Sequence, residues 1–188
     1  MARNFMCTKT DPVVETKAGK LRGFQLDGTY AFHGVKYADA KRFHQPTPVE
    51  PWEGIKNALA YGYVCPMLQQ DQPSNELMVP HRYWPLDENC QYLNIWTQHL
   101  DPNAKKPVLV WLHGGGFAAG SSIEHIAYEG ENMSKYGDVV VISLNHRLNI
   151  LGYLDLSPFG EEYKNSGNAG NADETGNAAD SARNEHGA

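Results

Sequence analysis

The stretch that decides the fold is Pro107-Val108-Leu109-Val110-Trp111-Leu112-His113-Gly114-Gly115-Gly116-Phe117. Its first half is a continuous apolar run, short and bounded by turn signals, which suits a strand buried on both faces of a sheet. Its second half sets three consecutive glycines at the strand end. Backbone there has no Cβ shielding, so its N–H groups can point outward and be approached closely by another molecule's oxygen. A second run, residues 138–144 with Val139-Val140-Val141-Ile142 at its centre, reads as another fully buried strand. Between the two, residues 122–136 can hold a helix over 126–136 that Gly137 ends. Two buried strands joined by a crossover of helical length imply a parallel βαβ unit and an α/β sheet.

Upstream, Tyr92-Leu93-Asn94-Ile95-Trp96-Thr97 alternates like a half-buried strand. Residues 36–86 hold Pro46, Pro48, Pro51, Pro66, Pro73, Pro80 and Pro85, too many for long helices or central strands. That region reads as ordered but irregular, with aromatic anchors at Phe43, Trp52, Tyr61, Tyr63 and Trp84. Residues 13–16, 20–26 and 29–35 read as short strands, the last two joined by the hairpin signal Asp27-Gly28. Downstream of Phe159 there is no Leu, Ile, Val, Met, Phe or Trp. The core is therefore expected within residues 1–160, and the polar tail 161–188 is expected to be disordered, because it lacks the apolar surface that offsets ordering entropy.

The chain has 188 residues and a formal net charge of −6, from 16 Lys and Arg against 22 Asp and Glu. It is long enough for one core. The charge balance gives no reason to expect nucleic acid or an anionic membrane as partner. No apolar stretch approaches the roughly 20 residues of a membrane span. Residues 1–7 lack the apolar stretch of a signal peptide, so a cytoplasmic location is the default, with secretion left open. Of the three cysteines, Cys7, Cys65 and Cys90, none sits in a metal-binding pattern, and neither metal nor cofactor is expected. From spacing alone, Cys65 and Cys90 read as buried small hydrophobes.

Free backbone N–H groups on a glycine loop suit acyl transfer. The tetrahedral intermediate concentrates negative charge on one oxygen, and fixed donors stabilise it by roughly 2.7–4 kcal/mol each. A plain glycine turn after a strand is the competing reading. Phosphate binding is weaker, since the run has neither dinucleotide nor P-loop spacing.

The context resembles the carboxylesterase type B family, which includes para-nitrobenzyl esterases and cholinesterases. Gly19-Lys20-Leu21-Arg22-Gly23 is similar to its early G-x-x-x-G strand, and Phe32-His33-Gly34-Val35-Lys36-Tyr37-Ala38 to F-x-G-I-P-Y-A, with Lys36 replacing proline. Arg42-Phe43, Pro46 and Trp52-Glu53-Gly54 resemble R-F-x-x-P and W-x-G. Cys65-Pro66 and Glu88-Asn89-Cys90-Gln91-Tyr92-Leu93-Asn94-Ile95 resemble C-P-Q and E-D-C-L-x-L-N-V. Pro107 through Gly116 resembles P-V-x-V-W-I-H-G-G-G, and Asn145-His146-Arg147-Leu148-Asn149-Ile150-Leu151-Gly152-Tyr153 resembles N-Y-R-L-G-x-x-G-F. Gly167-Asn168-Ala169-Gly170-Asn171-Ala172-Asp173 is similar to G-N-x-G-x-x-D.

The resemblance implies the N-terminal part of an α/β-hydrolase fold, with small antiparallel strands leading into a mixed, mostly parallel central sheet that is incomplete. It implies oxyanion-hole N–H donors at Gly115 and Gly116, with Gly114 and His113 shaping the loop. It further implies a disulfide between Cys65 and Cys90 and a structural salt bridge between Arg42 and Glu88. The implied substrate is a small-molecule carboxylic ester, hydrolysed through a serine acyl-enzyme without metal or cofactor.

The chain departs from the family in one decisive respect. The fold's nucleophile sits on a G-x-S-x-G elbow, followed in sequence by the acid and the histidine. None of Ser74, Ser121, Ser122, Ser134, Ser143, Ser157, Ser166 and Ser181 has glycine two residues away on both sides. Ser122 comes nearest, with Gly120 before it but Glu124 after it. After Asp173 the sequence becomes polar where the family has an apolar helix, as a frameshift, a truncated gene or a cropped chain would produce. The expectation is an esterase segment inactive alone, with exposed sheet edges and poor solubility. Two alternatives are a non-catalytic interaction module on the esterase scaffold and one half of a split esterase that a C-terminal hydrolase segment completes in trans.

Overall fold

The computed structural model describes residues 3–67 and 82–174. Its strands are β1 (Phe5–Met6), β2 (Val13–Glu15), β3 (Lys20–Arg22), β4 (Phe24–Leu26), β5 (Thr29–Lys36), β6 (Ile55–Asn57), β7 (Tyr92–Thr97), β8 (Val108–Leu112) and β9 (Val140–Leu144). They form a three-stranded sheet, β2-β3-β6, and a six-stranded one, β1-β4-β5-β7-β9-β8. The larger sheet is mixed. Its pairings are antiparallel except β8 with β9, whose parallel register sets Leu112 opposite Leu144. The parallel pair expected from the two apolar runs is therefore present.

The stretch 20–26, expected as one strand, is broken at Gly23 into β3 and β4, which belong to different sheets. A Cβ on Gly23 would stand 2.3 Å from the carbonyl oxygen of Ala31, so only glycine lets the chain cross between sheets so near β5. The Asp27-Gly28 turn closes the β4–β5 hairpin, with φ of 49° and 88° at its two residues.

Burial reverses the sequence expectation for two strands. Tyr92–Thr97 reads as half-buried, yet all of β7 after Tyr92 is buried. β7 is paired on both edges, by β5 and β9. Leu93 and Ile95 join Val140, Ile142 and Leu144 in the main core. On the other face Trp96 meets Val141, Phe24 and Ala31. The chain entering the helix α1 (Glu131–Gly137) presses on that second face, where a Cβ on Gly130 would fall 2.6 Å from Val141 and 2.7 Å from Trp96. Conversely, 107–112 was expected to be buried on both faces. β8 instead ends the sheet, with the side chains of Val108, Leu109, Val110, Trp111 and Leu112 between 36% and 47% exposed. Among the described residues only β9 pairs with it.

The crossover helix is shorter than the predicted 126–136. A single 3-10 turn, Ile126–Tyr128, precedes α1, and Gly130 separates them. Beyond β9 lie α2 (Asn149–Tyr153) and α3 (Ala169–Ala172), with 3-10 turns between them. Beyond residue 160, Ser166, Ala169 and Asp173 are buried. Arg147 supplies the reason, as Asp173 is its ion-pair partner. The rest of the expected tail, 175–188, lies outside the described residues, as do Pro73, Ser74 and Pro80.

Candidate functional site

The carboxyl ends of β8 and β9 lie side by side, and the chain leaves them as His113-Gly114-Gly115-Gly116 and Asn145-His146-Arg147. The three glycines are exposed while His113 beneath them is buried. The turn folds back through bonds from the amides of Ala118 (3.1 Å) and Ala119 (3.3 Å) to the Gly115 carbonyl. Gly115 has φ +122°, and a Cβ there would sit 1.8 Å from the Ala119 carbonyl oxygen. Gly116 has φ +62°, with open space where its Cβ would be. Glycine is thus required at Gly115 for close backbone approach and favoured at Gly116 for its left-handed conformation. Among the described residues no backbone acceptor takes the amide hydrogen of Gly114, Gly115 or Gly116.

Two imidazoles underpin this turn. His113 Nδ1 lies 2.8 Å from the Gly114 carbonyl oxygen, an acceptor, so its proton belongs on Nδ1. Burial holds its pKa below the ordinary histidine value. Gly120 packs on the ring, a Cβ there falling 2.6 Å from Nδ1. His146 stacks on His113 at 4.9 Å between ring centroids and 22° between planes. Burial, with the neighbouring His113, brings His146 down to about 4. The loop after β9 also grips the turn, the Asn149 amide donating to the Phe117 carbonyl at 2.7 Å.

Ser122 is buried rather than presented. Its amide donates to Asn145 Oδ1 at 2.8 Å, and its hydroxyl accepts from Asn94 Nδ2 at 3.3 Å. This satisfied buried position is that of a structural serine. An open hollow of about 360 Å³ lies beside β5 and the start of β7, lined by Gly34, Tyr61, Gly62, Tyr63, Trp84 and Tyr92.

Cys65 and Cys90 are buried in one cluster with Leu148 and Leu151, as free thiols. Cys65 is held below the ordinary thiol range by hydrogen bonds from Cys90 and the Leu148 amide, whereas burial pushes Cys90 well above it. Arg42 and Glu88 meet as a two-pronged pair, Nε to Oε2 at 2.7 Å, but at the surface, with side chains 62% and 31% exposed. The buried ion pair is elsewhere. Arg147 and Asp173 are 1% and 0% exposed, and Arg147 also donates to the carbonyl oxygen of His44 at 2.8 Å. Both residues stand in blocks singled out in the sequence, but 26 positions apart no spacing rule joins them. Among the described residues no cluster of His, Cys, Asp and Glu suits a metal ion, and no helix is long and apolar enough to cross a membrane.

Residues 10–176 match the model of the carboxylesterase family. The chain is 37% identical over 162 residues to the para-nitrobenzyl esterase of Bacillus subtilis, covering 84% of this chain and 32% of that protein. Among solved structures it superposes with TM-score 0.92 and 63% identity on an esterase from Clostridium hathewayi described as hydrolysing aliphatic aromatic polyesters, covering 97% of this chain and 36% of that one. A carboxylesterase of Geobacillus stearothermophilus gives TM-score 0.71 and 39% identity, with 86% and 32% covered. These neighbours are α/β-hydrolases, and the mixed sheet with its short N-terminal strands is the N-terminal portion of that fold. The chain spans about a third of the length of these relatives.

Proposed function

The chain belongs to the carboxylesterase family, and on that premise we propose that it supplies the oxyanion-binding loop of a serine carboxylic ester hydrolase without supplying the nucleophile. The observation that carries this reading is the set of exposed amides at Gly114, Gly115 and Gly116, unclaimed by any described backbone acceptor at the carboxyl end of β8. The N–H groups of Gly115 and Gly116 donate to the oxygen of the tetrahedral intermediate, and His113 and Gly114 hold the loop's shape. Charge develops on that oxygen only as the acyl carbon is attacked, so donors fixed beforehand favour the transition state over the bound ester. The attacking serine, the acid and the histidine come from elsewhere, since no serine here stands on a G-x-S-x-G elbow. Alone the chain is inactive, and a C-terminal hydrolase segment bearing the elbow completes it. The substrate is a small carboxylic ester, and the Tyr61, Tyr63, Trp84 and Tyr92 hollow suits an ester with an aromatic part.

Hydrolysis of a short-chain p-nitrophenyl ester by the purified chain, with and without a serine-reactive organophosphate, tests this. Turnover no faster than buffer is expected. Inhibitor-sensitive turnover with the label on a serine of this chain overturns the reading.

A further inference from the structure

The residue under the glycine turn that no motif accounts for is His146, which stands where the family pattern N-Y-R has tyrosine. It follows β9 as His113 follows β8, and the parallel register brings the two rings together one residue out of step. Each ring sends Nδ1 to the carbonyl oxygen of its own following residue, Gly114 at 2.8 Å for His113 and Arg147 at 3.1 Å for His146. Carbonyl oxygens only accept, so both neutral rings carry their proton on Nδ1 and leave Nε2 bare. His146 Nε2 faces Glu174 Oε1 at 3.2 Å. The Glu174 carboxyl thus lies within hydrogen-bond reach of that nitrogen, and burial raises its pKa above the ordinary glutamate value.

We propose that His146 is a positioning residue for the three-glycine turn. Its neutral ring lies flat under His113 and fixes the His113 bond to the Gly114 carbonyl, and so the direction of the amides at Gly115 and Gly116. Glu174 sets the rotation of the His146 ring. A charge gained by His146 sits against a second buried imidazole and separates the stack. The groups facing this pair are Glu174 and Asp173 beyond α3, Arg147 on the loop of His146, and Glu124 toward His113. Asp173 favours the charged form of His146 and Glu124 that of His113, while burial, the larger influence, opposes both and His113 opposes the charge on His146. The proposal rests on the oxyanion-loop reading for its consequence in catalysis, but the placement of the turn is measurable by itself.

The test uses the full 188-residue chain labelled with nitrogen-15 glycine. At pH 7, His146→Ala is expected to displace the amide resonances of Gly114, Gly115 and Gly116, while His146→Phe, which keeps a flat ring, leaves them near their original positions. On acidification the wild-type resonances should move with the His146 ring, and this inflection should be missing in His146→Phe. Resonances indifferent to His146→Ala, resonances displaced at pH 7 in His146→Phe, or an inflection that persists in His146→Phe, overturn the proposal. Because His146→Phe is decisive at pH 7, the test survives both a misfolded alanine variant and acid unfolding. Whether the turn stabilises an oxyanion is decided separately by ester hydrolysis.

Discussion

Arg147 and Asp173 close the described structure across 26 residues, with Nε 2.8 Å from Oδ2 and a second guanidinium nitrogen 2.7 Å from Oδ1. The same carboxylate accepts the Arg147 amide at 3.0 Å and Gln91 Nε2 at 3.2 Å. Neither charge reaches water, so removing one leaves the other buried and uncompensated. Asp173→Asn is expected to cost about 3–5 kcal/mol in urea unfolding. The exposed Arg42–Glu88 pair is expected to be far less sensitive to Glu88→Gln. Equal losses from the two substitutions would contradict the assignment of Arg147 and Asp173 as the pair that ties residues after α2 to the sheet.

The two flexible glycines of the turn separate cleanly. Gly116→Ala meets open space and bears only the left-handed backbone penalty, roughly 1–2 kcal/mol. Gly115→Ala puts a methyl group 1.8 Å from the Ala119 carbonyl, which backbone movement alone can relieve. Hydrogen exchange should therefore quicken at the Ala118 and Ala119 amides in Gly115→Ala and stay near wild type in Gly116→Ala. In a completed esterase, Gly115→Ala keeps its N–H but moves it, and losing that donor's alignment is expected to lower kcat by up to about 10²–10³. Unaltered exchange in both variants would mean that the turn is not held by the contact described.

These contrasts show what the sequence carried. The glycine turn, the β4–β5 hairpin and the parallel β8–β9 pair were legible because each depends on residues close in sequence, through φ angles or apolar runs. Burial of a strand depends on what lies on either side of it. An alternating pattern therefore read β7 as half-buried although both its faces are covered, and an unbroken apolar run read β8 as buried although it ends the described sheet. The break at Gly23 was hidden in the same way, since its cause is the carbonyl of Ala31 on another strand. Arg147, Asp173 and His146 each sat in a quoted block, but their partners are set by the tertiary fold.

His33 gives the chain a pH dependence with a definite sign. Burial holds its pKa near 4 in the folded chain, and its Nε2 has no hydrogen-bond partner among the described residues. The unfolded chain, with an ordinary value near 6.5, binds more protons between these limits. Stability is then fully present above about pH 6.5 and falls as pH drops toward 4, by roughly 3 kcal/mol for this group. His33→Phe keeps a ring against Tyr61, whose centroid lies 4.4 Å away, and removes the titration. Urea midpoints for His33→Phe should decline less steeply over that interval, with His146 supplying part of the remaining slope. Parallel pH profiles for the two proteins would remove His33 as the cause.

Thiol reactivity should rank by exposure and by thiolate character. Cys7 is half-buried, whereas Cys65 and Cys90 are buried. Peptide mapping after brief alkylation is expected to find label on Cys7 first, on Cys65 later and on Cys90 only after unfolding. With oxidised glutathione, attack by the Cys65 thiolate forms a mixed disulfide and releases one glutathione. Attack by Cys90 then expels the second and leaves a Cys65–Cys90 bond. Persistent glutathionylation of Cys65 without that bond would mean that the two sulfurs do not meet in the folded chain.

β8 offers other molecules the same features that would be covered in a sheet's interior. Its five apolar side chains are 36–47% exposed, and its outer backbone edge is unpaired among the described residues. An unpaired, apolar strand edge templates pairing with another chain. Apolar patches of this kind also bind hydrophobic dyes and drive association. The chain is expected to show concentration-dependent light scattering and strong dye fluorescence at neutral pH. Val110→Lys, placing a charge mid-strand at a side chain already 45% exposed, should reduce both while leaving the β8–β9 register intact. A wild-type chain that stays monomeric and dye-silent across concentrations would show β8 to be shielded, and would count against an incomplete sheet.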